Sequence, residues 1–297
     1  MESELRVSAR PELSRPVLVA AFRGWNDGAQ AASLAAGYLA KLWGAEQIAD
    51  VDPEGFFDFQ ATRPHVSLVD GITRRIEWPE TAFYHATPPG LDRDVVLLLG
   101  IEPNVRWRSF TELVVGQVEE LGVELVVTLG ALLADVPHTR PSPVTGSASD
   151  AELVKELGLS TSRYEGPTGI VGVLHDACNK AGIPSASLWA AVPHYVSLTP
   201  SPRAAAALCD RLGGLFGVEI DTAELDQAAQ TYEEQVSQAV ASDEETAAYV
   251  EELEHRADTV EEDFELPSGD ALAAELTRYL REREAGNGES GPRGPAS

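Results

Sequence analysis

The segment Val17–Leu42 reads VLVAAFRGWNDGAQAASLAAGYLAKL, and its three parts imply three kinds of local structure. Val17 to Phe22 is an unbroken apolar run, the composition of a strand covered on both faces. Gly24, Trp25, Asn26, Asp27 and Gly28 form a polar turn. Ala31, Leu34, Ala35, Tyr38 and Leu42 then recur at helical spacing, and Asn26 or Asp27 can cap that helix. The two glycines permit close packing and a sharp turn, and free amides at the helix start can also hold an anion. An ordinary first βα unit is the preferred reading, with a ligand-phosphate site as the alternative. Gly24 and Gly28 do not complete G-x-G-x-x-G, so a dinucleotide fingerprint is rejected.

Downstream, Asp94–Gly100 (DVVLLLG) is the clearest strand, running into Ile101-Glu102-Pro103-Asn104. A helix follows with Phe110, Leu113, Val114, Val118 and Leu121 on one side, stopped by Gly122. Val123–Gly130 (VELVVTLG) begins another buried strand. This alternation predicts a parallel α/β core with right-handed crossovers. Between the two units, Gln47–Asp50 reads as a short strand and residues 60–69 as a loop. Residues 72–78 and 82–86 read as an extended pair, a peripheral hairpin or a sheet edge. Residues 131–149 read as a long irregular connection with three prolines, which must pack, bind something or join an interface. Ser149 and Glu152 suggest a capping box for a short helix through Leu157. A second loop, Tyr164–Ile170, leads to a helix over 171–181, a strand within 183–192, and a helix with Ala204, Leu208, Leu212 and Leu215 on one stripe.

The 297 residues carry a formal net charge of −26 with 43% hydrophobic content, a globular composition that opposes general nucleic-acid binding and anionic-membrane association. Two cysteines make neither a disulfide framework nor a structural zinc site. Neither a signal peptide nor a membrane-length apolar run is present, so a cytoplasmic location is expected. Residues 219–284 hold 21 acidic and 4 basic residues, yet apolar residues there keep helical spacing. The expected division is a lead-in (1–16), an α/β core (17–218), and an acidic helical extension (219–284) on the core or a neighbouring subunit. That extension comprises a helical hairpin, its second helix started by a Ser242–Glu245 capping box, a linker through Glu261 to Pro267, and a third helix capped by Ser268. A disordered tail (285–297) completes the chain.

Three loops carry the candidate chemistry. Asp135, Pro137, His138, Thr139 and Arg140 combine proton-transfer and anion-binding groups, but adjacency in sequence more often means hydrogen bonding within a loop or at a contact. Glu102, before Pro103, ends the strongest strand, where α/β sheets place ligand crevices; it can equally accept loop amides or pair with Arg106, Arg108 or Arg140. Gly166, Pro167, Thr168 and Gly169 lack the spacing and lysine of a P-loop and read as a tight turn. His175, Cys178 and His194 lack a convincing further ligand, so no metal is assigned, and no cofactor is expected. Trp25, Trp107, Trp189 and Tyr195 read as core or interface aromatics. No G-x-S-x-G elbow occurs.

GWNDGAQAA (24–32), LLGIEPNVRW (98–107), TLGALLADVPHTRP (128–141), YEGPTGIVGVL (164–174) and PHYVSLTPSPRAAAAL (193–208) together resemble the proteasome assembly chaperone 2 family, in its actinobacterial branch. The resemblance implies a three-layer α/β/α sandwich with a mostly parallel central sheet, similar to nucleoside phosphorylases, plus the acidic helical extension. It also implies homo-oligomers, a trimer among them, and partners such as proteasome α subunits. Some members dock through a terminal hydrophobic-Tyr-any-residue tail. This chain instead ends Gly294-Pro295-Ala296-Ser297, so docking of that kind is not expected. The sequence reading is thus a non-enzymatic, assembly-chaperone-like protein whose motif loops shape a contact surface. One alternative is a phosphate- or nucleoside-related transferase or hydrolase using Glu102, His138 and Arg140 near Gly28. Another is a small-ligand-binding scaffold without chemistry.

Overall fold

The computed structural model describes residues 4–148, 150–159, 164–196 and 200–259. Its centre is the strand opened by Val17: β2 (Val17–Arg23) lies between β7 (Val95–Ile101) and β8 (Leu125–Ala134), parallel to both. On the far side of β8, β10 (Ser185–Pro193) is also parallel, in register from Ser185 opposite Val126 to Pro193 opposite Ala134. These four strands are the parallel core. Antiparallel strands flank them: β6 (Ala82–Ala86), β3 (Glu46–Val51) and β1 (Leu5–Val7) on one side and β9 (Val144–Ala148) on the other. The eight strands run β1-β3-β6-β7-β2-β8-β10-β9.

The alternation along β2 divides the core. Val17, Val19 and Ala21 face α1 (Ala31–Leu42) and α5 (Pro202–Phe216); Leu18, Ala20 and Phe22 face α2 (Trp107–Glu120) and α4 (Ile170–Lys180). Small residues let α1 approach the sheet, with Ala31, Ala32, Ala35 and Ala36 fully buried. On the opposite face Phe110 meets Phe22 and Phe56 edge-on at centroid distances of 5.9 and 5.5 Å. The result is the α/β sandwich, helices on both faces of the sheet.

Several expectations change. Leu5–Val7 adds an edge strand to the sheet, so part of the lead-in belongs to the core. Residues 65–69 are not loop: β4 (His65–Val69) pairs with β5 (Thr73–Glu77) as a separate two-stranded sheet, while 82–86 joins the main sheet. Asp70 and Gly71, at φ 53° and 73°, make the left-handed turn that closes this hairpin. The irregular connection after β8 shrinks to residues 135–143, because β8 continues to Ala134 and β9 starts at Val144. Finally, Asp150 caps α3 (Ala151–Glu156) by accepting the Glu152 and Leu153 amides, and Ser149 lies outside the described residues.

Beyond α5, α6 (Ala223–Val240) and α7 (Glu244–Thr259) form a helical hairpin folded back onto this chain's own core. Leu225, Ala229, Tyr232 and Val236 of α6 and Val250 and Leu253 of α7 are buried. Asp243, not Ser242, starts α7, accepting the Thr246 amide at 2.7 Å. The expected linker, third helix and tail lie outside the described residues.

Candidate functional site

The carboxyl ends of the parallel strands gather the sequence-predicted loops into two separate networks. The first is built around Glu102, just past β7. Its Oε1 accepts the Ile170 amide at 2.8 Å and the Asn26 side-chain NH2 at 3.1 Å, and the Trp25 amide also donates to the carboxylate. Ile170 is the first residue of α4, so Glu102 satisfies an amide at a helix start from a strand 68 residues away. Burial raises the Glu102 pKa, and these three donors pull against that rise.

Glycines make this approach possible. A Cβ on Gly169 would lie 2.1 Å from Asn26 Nδ2 and 2.6 Å from Glu102 Oε1. One on Gly24 would lie 3.0 Å from Glu102 Cβ, at a φ of 140°. Gly166 and Pro167 complete the tight turn leading to α4, where the Tyr164 hydroxyl donates to the Pro167 carbonyl at 2.6 Å. Thr168, with its side chain over Gly172, lies outside the Glu102 network. None of the arginines weighed as partners for Glu102 pairs with it. Arg106 reaches Glu4 at 2.6 Å and lies over the Phe56 ring, and the Trp107 indole donates to the Pro103 carbonyl.

Asn26 and Asp27 also tie the β2 turn to β8. The Ala131 amide donates to the Asn26 carbonyl, and Gly28 passes so close that a Cβ would meet the Ala131 carbonyl at 3.1 Å. Asp27 caps α1 from five residues upstream: its Oδ1 accepts the amides of Ala32 at 2.8 Å and Ser33 at 3.2 Å. The left-handed conformations in the turn fall on Ala29 and Gln30, at φ 46° and 51°, where local strain is held by this cap and by the Ser201 amide on the Ala29 carbonyl. Asp27 Oδ2 is buried without a partner, and burial raises the group's pKa. Beside this turn, Arg23, Gln30, Ser33, Glu80 and Gly100 line an open crevice of about 270 Å³.

The second network joins the 135–140 loop to the helical hairpin. His138, 3% exposed, has its own amide and its Nδ1 each 2.8 Å from the Tyr195 hydroxyl, and its Nε2 2.9 Å from Ser237 Oγ on α6. The hydroxyl accepts the amide hydrogen; in the tautomer protonated at Nε2 it donates its hydrogen to Nδ1 while Nε2–H donates to Ser237, and in the other tautomer both directions reverse. Burial lowers the His138 pKa, favouring the neutral ring, although Glu233 and Glu254 pull it back up. Thr139 donates to Glu254, and Arg140 makes a two-pronged contact with Asp258 at 2.7 and 2.8 Å. His194 Nδ1 lies 3.1 Å from Asp135, and its ring meets those of Tyr195 and Tyr249 edge-on. Pro137, within the loop, is buried. The loop is therefore the seat of the acidic helices.

Glu102, His138 and Arg140 share no hydrogen-bonding partner, so the constellation required by the transferase or hydrolase alternative is not assembled from them. His175 and Cys178 lie one turn apart on α4, and His194 belongs to the second network. His175 sits between Ser185 at 2.8 Å and Thr128 at 3.0 Å with its pKa pushed down to about 4 by burial, and Cys178 is a buried thiol. Among the described residues no group of three or more His, Cys, Asp or Glu is placed to hold a metal, and no helix is long and apolar enough to cross a membrane.

Sequence reasoning missed the partners Ser237, Tyr249, Glu254 and Asp258, since nothing in their spacing points to a loop about 100 residues upstream. It also missed the β4–β5 hairpin, although Asp70-Gly71 between two alternating runs is a strong hairpin signal.

The fold is that of an α/β protein whose strand-end loops are held by buried clasps. The PAC2 family model matches residues 21–240, and the chain belongs to that family. A PAC2 family protein from Streptomyces avermitilis is 50% identical, with 79% of this chain and 99% of that one covered at a TM-score of 0.74. A proteasome-assembly chaperone homologue from Mycobacterium tuberculosis is 49% identical over the same shares, with a TM-score of 0.72. An archaeal proteasome activator from Pyrococcus furiosus, at 20% identity and a TM-score of 0.64, shares the fold over 79% of this chain and 97% of that one. A search of curated proteins gave no match.

Proposed function

We propose that this chain is a non-enzymatic, homo-oligomeric protein of the cytoplasm that acts as an assembly chaperone, with proteasome α subunits as its partners. The observation that carries this reading is the engagement of Glu102, His138 and Arg140. Each is occupied in fixing a loop, in networks with no shared partner, so the strand ends form a stiff surface and not a reacting centre. Relatives of about half identity support it, one of them a proteasome-assembly chaperone homologue. The partner meets the strand-end side of the sheet, where the β4–β5 hairpin presents the most apolar exposed surface. Mixing the chain with the organism's proteasome α subunits and following assembly by native mass tests it: a transient complex that changes α-subunit assembly is expected. The absence of both would refute the partner assignment.

A second reading, a small-ligand scaffold, draws on the crevice beside Arg23, Gln30 and Ser33 at the ends of β2 and β7. Saturable binding of a small anion, lost in Arg23→Ala, would favour it over the first.

A further inference from the structure

The β4–β5 hairpin has two free edges, and they differ. Its strands pair only with each other, in an unbroken register from His65 opposite Glu77 to Val69 opposite Thr73. The β5 edge carries Arg74, Arg75 and Glu77, charged residues of the kind that guard an exposed strand against further pairing. The β4 edge, His65-Val66-Ser67-Leu68-Val69, carries no Asp, Glu, Lys or Arg and contains neither proline nor bulge. Among the described residues, no backbone group outside the hairpin bonds to residues 65–68. Alternate residues of β4 therefore turn N–H and C=O outward without a partner in the chain, and an isolated two-stranded ribbon is marginal in water.

This strand is complementary to itself. Two identical strands paired antiparallel about a two-fold axis must centre on one residue, because side chains directly opposite each other share a face. Centred on Ser67, the pairing uses the whole strand: Val66 meets the second copy's Leu68, His65 meets its Val69, and Ser67 meets itself. Centring on Val66 or Leu68 leaves part of the strand unpaired. No like charges are opposed, whereas the same operation on β5 would set Arg75 against Arg75. Continued past the strand ends, the register brings Asp70 of each copy beside Arg63 and Pro64 of the other. Neither Arg63 nor Asp70 has an ion pair among the described residues. The two ends of the strand are thus complementary in charge, in a chain whose net charge of −26 otherwise opposes close approach of two copies.

We propose that β4 is a self-association edge, pairing antiparallel with β4 of a second copy about Ser67 to make a four-stranded sheet. This names a surface for the self-association proposed above and rests on that reading. The axis stands perpendicular to the new sheet, so the exposed Val66, Leu68 and Ile76 of both copies lie on one side. Pairing uses the edge and leaves this apolar face open and doubled, which is the surface offered to a partner.

Charge exchange on the axis tests it, read by native mass of the full-length chain. Ser67 lies opposite Arg75, on the face away from Val66, Leu68 and Ile76, so replacing it leaves the apolar face intact. The wild type is expected to form an even-numbered assembly. Ser67→Lys and Ser67→Glu each set like charges face to face, and each alone is expected to fall to half the wild-type mass. Mixing the two variants is expected to restore the full mass with one copy of each per pair, which also shows that both remain folded. A wild type that stays monomeric would overturn self-association and this edge together. An odd-numbered wild type, variants that assemble as the wild type does, or a loss that mixing does not restore would overturn the edge alone. Binding of α subunits enters none of these readings.

Discussion

Glu102 Oε1 accepts the backbone N–H of Ile170 at 2.8 Å, a carboxylate at the end of one strand closing the first turn of a helix that starts 68 residues further along the chain. The same oxygen takes the Asn26 side-chain amide, so three loops meet at one acceptor. Removing that acceptor leaves buried donors without partners, which costs about 1–3 kcal/mol. Glu102→Ala is therefore expected to lower unfolding free energy by that amount in urea titration, and Glu102→Gln, which keeps an acceptor oxygen, by less. Equal stability in Ala, Gln and wild type would remove the clasp from the account.

Gly169→Ala tests the same junction from the other side. The backbone there is extended, at φ −97°, and tolerates any residue, so the effect is steric alone. A methyl 2.1 Å from Asn26 Nδ2 must push the Asn26–Glu102 pair apart. A loss of about 1–3 kcal/mol is expected from such overpacking, and it should not add fully to that of Glu102→Ala, since both act on one contact. A double-mutant cycle checks it.

The seat of the helical hairpin should respond to pH. Burial lowers the His138 pKa below its unfolded value near 6.5, so the neutral ring contributes stability that is present above that value and lost as pH falls through it. A charged ring donates from both nitrogens, so the Tyr195 hydroxyl would then face two donors, the His138 amide and Nδ1. Once the intrinsic exchange rate at each pH is divided out, the protection of α6 and α7 should therefore fall between about pH 7 and 5 more than that of β2, and His138→Gln should flatten the difference. Glu233, Glu254 and Arg203 are the charged groups that face this ring.

Tyr195→Phe separates geometry from charge at this site. It keeps the rings against His194 and Tyr249 but removes the hydroxyl shared by the His138 amide and Nδ1. An unsatisfied buried amide predicts a loss of about 1–3 kcal/mol, read by urea titration, with the exchange increase concentrated in residues 135–140 and α6.

The parts of this fold that were legible were those written in local periodicity. The unbroken apolar runs at Val17 and Asp94 and the stripe Phe110, Val114, Val118 fix strands and helices because each segment's burial shows in its own sequence. Strand β9 was not legible: VTGSA has no apolar alternation, and it becomes a strand because the edge of β10 offers hydrogen bonds. At the site, Glu102 and the 135–140 loop stood out as polar groups at strand ends, but their partners did not. Ile170, Ser237 and Asp258 are brought in by tertiary folding across about 70 to 120 residues, and no spacing rule reaches that far. Asp70-Gly71 is different, since that turn was readable and its neighbours' exposure was not.

Native mass spectrometry of the chain mixed with proteasome α subunits tests the central claim, that the strand ends form a contact surface and not a reacting centre. Wild type and Glu102→Gln are predicted to give the same complex, and Val66→Asp/Ile76→Asp, altered only on the exposed hairpin, to give none. A wild type that binds no α subunit, or a hairpin variant that binds as well as wild type, would contradict the account.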